Sequence, residues 1–228
     1  MFLRNNGGES LSTNSKFFHV EKEELIGRLM RSGYLSSKEV IDAMGAIPRE
    51  IFVPGGSEAK AYHDTPLEIG AGQTISAPHM VAIMSEALRI RRDSRVLEVG
   101  TGTGYHAAVT AKIASEGHVY TVERIGKLAK KAMENFDKLG IKNVTVVVGD
   151  GSLGLEEYGP FDRIYATCAA PSIPPQLVDQ LSPGGRMVIP VGGGVGDLIL
   201  VEKNDGIKEK NLGGCSFVPM IGKGAYDG

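Results

Sequence analysis

Three glycines that alternate with threonines directly follow a stretch with the character of a buried strand. Gly100, Gly102 and Gly104 come after residues 95–99, and a helix-compatible sequence begins at Tyr105. Glycine lets the backbone approach a ligand at positions where a Cβ atom would collide with it. The first amides of a helix that starts here would point at a ligand above the strand. These residue types and their spacing therefore predict a small-molecule binding loop.

The spacing of the glycines distinguishes between two kinds of cofactor. The dinucleotide fingerprint Gly-x-Gly-x-x-Gly would need a further glycine at Tyr105 or at Ala107, depending on the register, so neither register fits. With an acidic residue ahead of it, the loop instead fits the S-adenosylmethionine loop of Rossmann-like methyltransferases, where an acid faces the cationic end of the cofactor. We predict that S-adenosylmethionine is the cofactor and that these residues contribute to its site: Glu98, Gly100, Thr101, Gly102 and Gly104.

Acidic residues also follow or end the next two predicted strands, where a parallel sheet binds its ligands. Glu123 could accept two hydrogen bonds from a ribose diol. Enzymes that use NAD make the same contact, so Glu123 alone does not choose between the cofactors. Asp150 could accept a hydrogen bond from the exocyclic amine of adenine, and Gly151 would allow close approach. A plain turn at residues 149–151 is the alternative.

The remaining reactive side chains form no catalytic arrangement in the sequence. The five histidines have no cysteine or histidine partner at metal-ligand spacing, so we predict that the chain binds no metal. Cys168 follows a predicted strand and could line a pocket, and a small buried side chain is the alternative. There is no evident catalytic triad or pair of acids.

Alternating strands and helices would hold these loops in place. Strands are predicted at residues 95–99, 118–123, 143–148, 161–167 and 186–191, and helices at 105–115, 127–139 and 175–181. This alternation predicts an α/β, Rossmann-like fold with a mostly parallel, doubly wound sheet. Residues 198–202 and 207–212 flank a turn and predict an antiparallel hairpin at one edge of the sheet.

The first part of the chain is expected to be a helical extension. One helix is predicted from about Glu21 to Ser32. A second follows a capping box at Ser36–Glu39, and a third begins at Ser76. Residues 55–75 have the composition of a long loop, and long loops are often functional. We divide the chain into a mobile tail at 1–15, a helical extension with a substrate or lid loop at 16–92, and a methyltransferase core at 93–228 that forms one compact unit with 16–92.

Composition limits the partners and the location of the protein. The 228 residues are 42% hydrophobic and 23% charged, with a net charge of −2, as in ordinary soluble proteins. Because the chain has no basic excess and no run of about 20 apolar residues, we expect no nucleic-acid partner and no membrane association. The two cysteines and a start without signal-peptide character favour the cytoplasm. We further expect a monomer.

Four motifs resemble those of one family, the protein-L-isoaspartate O-methyltransferases. Residues 69–80, Ile-Gly-Ala-Gly-Gln-Thr-Ile-Ser-Ala-Pro-His-Met, are similar to the family's signature loop, and residues 100–105 are similar to its cofactor loop. Residues 189–192, Ile-Pro-Val-Gly, and residues 217–220, Phe-Val-Pro-Met, are similar to its later motifs. The resemblance extends from about residue 20 to residue 223.

This resemblance implies a protein-repair reaction and a set of site residues. The family methylates the α-carboxylate of L-isoaspartyl residues in damaged proteins and peptides, with S-adenosylmethionine as the donor. Ser76 matches the family's active-site serine, and capping of the following helix is its alternative role. Gln73, Thr74 and Ile75 would form a lid across the cofactor, and Ser76 would contribute to cofactor binding with them. Asp64 would help to order this loop, or is an ordinary surface acid.

The implied reaction suits a site without a catalytic base. A carboxylate is already ionised at pH 7 and can attack a sulfonium methyl group unaided. The enzyme would therefore need mainly to align two reactants and exclude water. Three alternatives remain: a methyltransferase for a small molecule, which the signature loop disfavours, a dinucleotide-dependent dehydrogenase, which the glycine spacing disfavours, and a binding module without turnover.

Overall fold

The computed structural model describes residues 13–227 of the chain. In chain order, its helices and strands are α1 (Thr13–Arg31), α2 (Lys38–Ala46), β1 (Leu67–Gly70), β2 (Gln73–Ile75), α3 (Pro78–Leu88), β3 (Arg95–Val99), α4 (Tyr105–Ile113), β4 (His118–Glu123), α5 (Gly126–Lys138), β5 (Val144–Val148), β6 (Phe161–Ala166), α6 (Pro175–Asp179), β7 (Leu181–Val191), β8 (Gly196–Lys203) and β9 (Ile207–Cys215). A short 3-10 helix at Arg49–Phe52 also bears on the site.

Seven of the strands form one sheet in the order β5-β4-β3-β6-β7-β8-β9. The first five run parallel, whereas β8 is antiparallel to both β7 and β9. This confirms the predicted α/β fold with a mostly parallel sheet and an antiparallel hairpin at its C-terminal edge. From β3 the chain goes to β4 and β5 on one side and returns at β6 on the other. The carboxyl end of β3 is therefore the switch point at which such sheets bind ligands.

Apolar side chains cover both faces of the sheet. Val96 belongs to a buried cluster that includes Leu29 of α1 and Met44 of α2. Leu97, the next residue, belongs to a second cluster with Leu177 of α6. Successive side chains of a strand point to opposite faces, so the clusters lie on the two sides of the sheet. Burial of each such side chain stabilises the fold by about 1.5–3 kcal/mol. The N-terminal helices thus share a core with the strands.

The N-terminal helix is longer than predicted. It begins at Thr13 instead of about Glu21, so residues 13–15, which the sequence assigned to a mobile tail, are helical. Residues 1–12 of that predicted tail lie outside the described residues. The side chains at positions 15–20 are mostly exposed, and so no apolar periodicity marks the first turns of this helix.

The predicted capping box at the start of α2 does not form. Ser37 is the N-cap residue, but its side chain makes no capping hydrogen bond. Instead, Glu86 of α3 accepts hydrogen bonds of 2.7 Å from the backbone N–H groups of Ser36 and Ser37. A carboxylate from another helix therefore satisfies the free amides of α2, which a local sequence pattern cannot reveal.

Three element boundaries also differ from the prediction. Residues 55–75, predicted as a loop, contain the antiparallel hairpin β1–β2, in which Leu67 lies opposite Ile75. Its strands have only four and three residues, too few for a periodic pattern to appear. β7 already begins at Leu181, where the sequence predicted the end of a helix, and α3 begins at Pro78, two residues later than predicted.

Candidate active site

Two adjoining cavities open at the carboxyl end of β3, at the switch point of the sheet. Together with the space that opens to solvent, they enclose about 540 and 330 Å³, and small-molecule sites are concave clefts of this kind. Thr74, Gly100, Gly102 and Thr167 line both of them, so the two form one continuous cleft. The larger cavity extends over the ends of β4 and β5, and the smaller cavity borders the β1–β2 hairpin.

Two of the three loop glycines line this cleft. Gly100 and Gly102 have φ angles of 95° and 55°, a region that residues with a Cβ atom rarely adopt. Gly104 is not among the residues that line the two cavities, and its role in binding the cofactor stays a prediction. A Cβ atom at Gly104 would lie 2.6 Å from the ring of Phe136. This glycine therefore allows α4 to pack closely against α5.

Glu98 lines the smaller cavity and is completely buried. One of its carboxylate oxygens accepts a hydrogen bond from the hydroxyl of Thr121. The other, Oε1, has no hydrogen-bond partner among the described residues. Burial raises the pKa of Glu98 to about 8. Because buried polar atoms are nearly always paired, an unpaired carboxylate oxygen beside a cavity suits a cationic ligand, such as the charged end of S-adenosylmethionine.

A buried polar network extends from Glu98 beneath the cleft. The hydroxyls of Thr101 and Thr121 lie 2.6 Å apart. His106 stacks on the ring of Tyr165 with their centroids 4.3 Å apart, and its Nε2 lies 3.1 Å from the hydroxyl of Ser85. Burial lowers the pKa of His106 to about 3, so its ring is neutral at physiological pH. Thr101 lines the smaller cavity, as predicted for a cofactor-site residue, whereas His106 was not identified from the sequence.

Glu123 lines the larger cavity and also fixes the glycine loop. Its Oε2 accepts a hydrogen bond of 2.9 Å from the N–H group of Gly102, and its Oε1 accepts one of 2.9 Å from the N–H group of Ile125. Each carboxylate oxygen can accept a further hydrogen bond. Glu123 is therefore able to bind a ribose diol while it holds the loop, and the sequence suggested only the first of these roles.

Asp150 holds the C-terminal segment against the cleft. Its Oδ1 accepts hydrogen bonds from the hydroxyl of Ser152 at 2.6 Å and from the N–H group of Ser152 at 2.9 Å, and its Oδ2 accepts one from the N–H group of Lys223 at 2.7 Å. These hydrogen bonds lower the pKa of Asp150 despite its partial burial. The larger cavity is lined by Gly149, Gly151 and Ser152, not by Asp150 itself. The contact with adenine that the sequence suggested for Asp150 stays a prediction.

The hairpin and the loop after it form the other side of the cleft. Gln73 and Thr74 line the larger cavity, and Thr74, Ile75 and Ser76 line the smaller one. Ser76 does not cap α3, because Ala77 is the N-cap residue and no side-chain cap is formed. The alternative role that the sequence allowed for Ser76 is therefore wrong.

Asp64 orders the loop that contains Ser76, which is one of the two roles that the sequence allowed for it. Its Oδ1 accepts a hydrogen bond of 2.8 Å from the N–H group of His79, in the first turn of α3. The same oxygen lies 2.9 Å from Nδ1 of His79. One carboxylate thus satisfies a free amide at the start of the helix and fixes the imidazole ring.

Several residues of the cleft were not identified from the sequence as site residues: Arg124, Thr167, Val218, Pro219, Met220 and Ile221. The C-terminal motif at residues 217–220 was noted, but nothing in the sequence indicated that it forms a wall of the larger cavity. Cys168 lines the same cavity. Burial raises its pKa to about 12, so its thiol stays protonated and is no nucleophile at neutral pH.

Some features of other protein classes do not occur in the described part of the chain. Residues 13–227 contain no group of three His, Cys, Asp or Glu side chains that could hold a metal ion. No helix within this span combines the length and apolar character needed to cross a membrane. The absence of a metal cofactor stays a prediction from the spacing of the histidines.

The fold and the cleft define the class of protein. A doubly wound sheet carries a glycine loop at its switch point, between a buried carboxylate with one oxygen unpaired among the described residues and a second carboxylate at the end of the next strand. These are the features of an S-adenosylmethionine-dependent methyltransferase.

Comparison with known proteins identifies the family within that class. Residues 20–225 match the model of the protein-L-isoaspartate(D-aspartate) O-methyltransferase family, and the chain belongs to this family. A protein-L-isoaspartate O-methyltransferase of Ignicoccus hospitalis is 53% identical over 205 residues, which cover 88% of this chain and 97% of the relative. That of Methanococcus aeolicus is 50% identical over 206 residues, 90% of this chain and 95% of the relative.

A solved structure agrees with these relatives. A Plasmodium falciparum protein assigned to the same enzyme class was crystallised with S-adenosyl-L-homocysteine, and the present fold matches it with a TM-score of 0.78 at 28% identity. The match covers 88% of this chain and 98% of the other. The resemblance inferred from the motifs is therefore confirmed across nearly the whole described chain.

Proposed function

We propose that this protein transfers a methyl group from S-adenosylmethionine to the free α-carboxylate of L-isoaspartyl residues in damaged proteins and peptides. The observation that carries this proposal is the meeting of two motifs at one cleft. The family's signature loop, with Ser76, borders the same smaller cavity as Glu98 and the glycine loop. The match to the family model supports the same reaction.

The reaction needs alignment of the reactants more than proton transfer. S-adenosylmethionine supplies, when bound, a methyl group on a positively charged sulfur. The substrate carboxylate is already ionised at neutral pH, since its unperturbed pKa lies near 4. Holding two reactants in a reactive geometry can contribute about 7–11 kcal/mol to the rate. This agrees with a cleft in which Cys168 stays protonated and His106 stays neutral.

The residues of the cleft take different parts in this reaction. Glu98 would face the positive charge of the cofactor, and Glu123 would accept hydrogen bonds from its ribose. Gly100 and Gly102 let the backbone approach the cofactor, with Thr101 between them. Further contacts come from Gln73, Thr74, Ile75 and Gly151, which border the same cleft.

Ser76 would lie beside the substrate carboxylate. It borders the smaller cavity next to the glycine loop, and its hydroxyl is not used as a helix cap. A hydroxyl in this position can donate a hydrogen bond to a carboxylate oxygen. The contact would fix the acceptor without competing for the methyl group.

The deciding experiment compares two peptides that differ only in one linkage. With labelled S-adenosylmethionine, a peptide that contains an L-isoaspartyl residue should accept the methyl group, and its normal aspartyl twin should not. Equal labelling of the two peptides would exclude the proposed substrate. Methylation of neither peptide, with cofactor binding intact, would favour a small-molecule substrate or a binding module without turnover.

The proposal also covers the compartment, the partners and the oligomeric state of the enzyme. Both cysteines are free thiols, which supports a reducing compartment such as the cytoplasm. The near-neutral net charge supports the absence of a nucleic-acid partner. That the enzyme acts as a monomer and away from membranes stays a prediction.

A further inference from the structure

A buried arginine lies directly behind the acceptor side of the cleft. Arg49, at the start of the 3-10 helix, is completely buried. No ion pair within residues 13–227 includes it. A buried charge without a counter-charge is costly, and proteins usually pair such groups. We therefore expect the buried charge of Arg49 to have a function.

The guanidinium group is fixed against the wall of the smaller cavity. Its Nε donates a hydrogen bond of 2.8 Å to the carbonyl oxygen of Ala61, and its Nη2 donates one of 2.7 Å to the carbonyl oxygen of Ser76. The group lies 4.7 Å from the ring centroid of Tyr105. Both Ser76 and Tyr105 line the smaller cavity, so the positive charge lies directly behind that wall.

No carboxylate of the described residues contacts this charge directly. Asp64 attracts Arg49 without contacting it, and its carboxylate is hydrogen-bonded to His79. The carboxylate of Glu50 accepts a hydrogen bond from the hydroxyl of Tyr62 at 2.5 Å. Burial lowers the pKa of Arg49, but a guanidinium group remains charged in proteins. Nη1 has no hydrogen-bond partner among the described residues.

We propose that Arg49 is a positioning residue for the methyl acceptor: it fixes the main chain at Ser76, and its unpaired positive charge draws the substrate α-carboxylate against that wall. The inference rests on the proposed function, because it assigns a charge to the acceptor of the same site. Lysine could not replace both roles. It carries the charge, but it lacks the planar set of donors that reaches two carbonyl oxygens in fixed directions.

The test measures preference for a charged acceptor. Binding of an isoaspartyl peptide and of its α-carboxamide twin is measured by calorimetry with saturating S-adenosylhomocysteine, so that no methyl transfer occurs. The wild-type protein should bind the carboxylate peptide about 30-fold more tightly than the carboxamide, as expected for hydrogen bonds and attraction to a charged group. Arg49→Met should reduce this preference to about threefold or less.

Arg163→Met is the matched control. Arg163 is also a buried arginine that donates only to main-chain carbonyl oxygens, those of Arg89 and Asp162. In the sheet, Arg163 of β6 lies opposite Val96 near the start of β3, away from the glycine loop. This variant should keep the wild-type preference, and all variants should bind S-adenosylhomocysteine within about twofold of the wild type. A full preference for the carboxylate in Arg49→Met would overturn the role of the charge.

Arg49→Lys provides a second measurement if Arg49→Met does not fold. This variant keeps the charge, so it should retain most of the preference for the carboxylate. It should nevertheless lose roughly tenfold in kcat, because one of the two carbonyl contacts is lost and Ser76 is no longer fixed. A kcat equal to that of the wild type would overturn the positioning role.

Failure of this inference can be told apart from failure of the proposed function. If the wild-type protein does not methylate the isoaspartyl peptide, the proposed function fails whatever the variants do. If the wild type methylates that peptide and Arg49→Met keeps the full preference, only the role of Arg49 fails.

Discussion

The two sides of the cleft are built in different ways. The cofactor side consists of loops at the ends of neighbouring strands of the main sheet, and Glu123 fixes it through two backbone amides. The acceptor side is the loop at Ser76, which follows a two-stranded hairpin outside that sheet. Polar side chains from elsewhere, Arg49 and Asp64, fix that loop.

This difference has consequences for function. The cofactor side is part of the core, so a change there should affect stability or cofactor affinity. On the acceptor side, long-range hydrogen bonds from Arg49 and Asp64 fix the loop at Ser76, so a change in that loop should affect turnover while the cofactor still binds. Four measurements, from the largest expected effect to the smallest, test this contrast.

The largest effect is expected from the pH dependence of stability on the cofactor side. The pKa of Glu98 is about 8 in the folded protein against an ordinary value of 4.5. Because this pKa is raised on folding, the contribution of Glu98 to the unfolding free energy is complete below pH 4.5. It is lost as the pH rises through 8. Relative to Glu98→Gln, the cofactor-free wild type should lose about 1 kcal/mol of unfolding free energy per pH unit between pH 5 and 8.

Chemical denaturation at several pH values measures this difference. Above about pH 8 the difference should level off, because Glu98 is then ionised in both states. Saturating S-adenosylmethionine should reduce the slope, since a cation beside Oε1 favours the ionised form. A difference between the two proteins that does not change with pH would contradict the assignment.

The next largest effect is expected at Gly104. Alanine there would have to adopt a φ angle of 95° and would place its Cβ atom 2.6 Å from Phe136. Gly104→Ala should lower the unfolding free energy by about 3 kcal/mol, from backbone strain and overpacking together. Gly140→Ala is the control, because its φ of 65° is also positive but nothing lies within 4 Å of the new atom. Equal losses in both variants would show that packing against Phe136 is unimportant.

A smaller effect, on cofactor affinity, is expected at Glu123. Glu123→Ala removes a ribose contact and the two hydrogen bonds that fix the loop, so S-adenosylmethionine should bind about 100-fold more weakly. Calorimetric titration measures the dissociation constant. Glu116→Ala is the control, because this exposed residue pairs only with Arg92 at the surface. An unchanged dissociation constant in Glu123→Ala would remove Glu123 from the cofactor site.

The smallest effect is expected on the acceptor side. Ser76→Ala loses one hydrogen bond to the substrate carboxylate, so kcat should fall about fivefold while the dissociation constant of S-adenosylmethionine stays the same. Steady-state methylation of an isoaspartyl peptide measures the first quantity and calorimetry the second. Ser32→Ala, at an exposed position after α1, serves as the control. Weaker cofactor binding with an unchanged kcat would assign Ser76 to the cofactor side instead.

The sequence predicted the cofactor side better than the acceptor side. The strands at residues 95–99 and 118–123 have the predicted bounds, because buried parallel strands appear as short apolar runs. The hairpin at residues 67–75 was missed, since its short strands leave no periodic pattern. The spacing of Gly104 predicts a cofactor contact, but it does not reveal that Gly104 packs against Phe136.

The sequence by itself determined the alternation of strands and helices from β3 onward, the glycine loop and the acidic residues at the ends of the central strands. Each of these depends on residues close together in the chain, whose spacing fixes the local conformation. The tertiary structure alone decided that Arg49 lies behind Ser76, that Glu86 caps α2 and that Asp150 holds Lys223. These partners are 27, 50 and 73 positions apart, and only the packing of the helices and loops around the sheet brings them within hydrogen-bond distance.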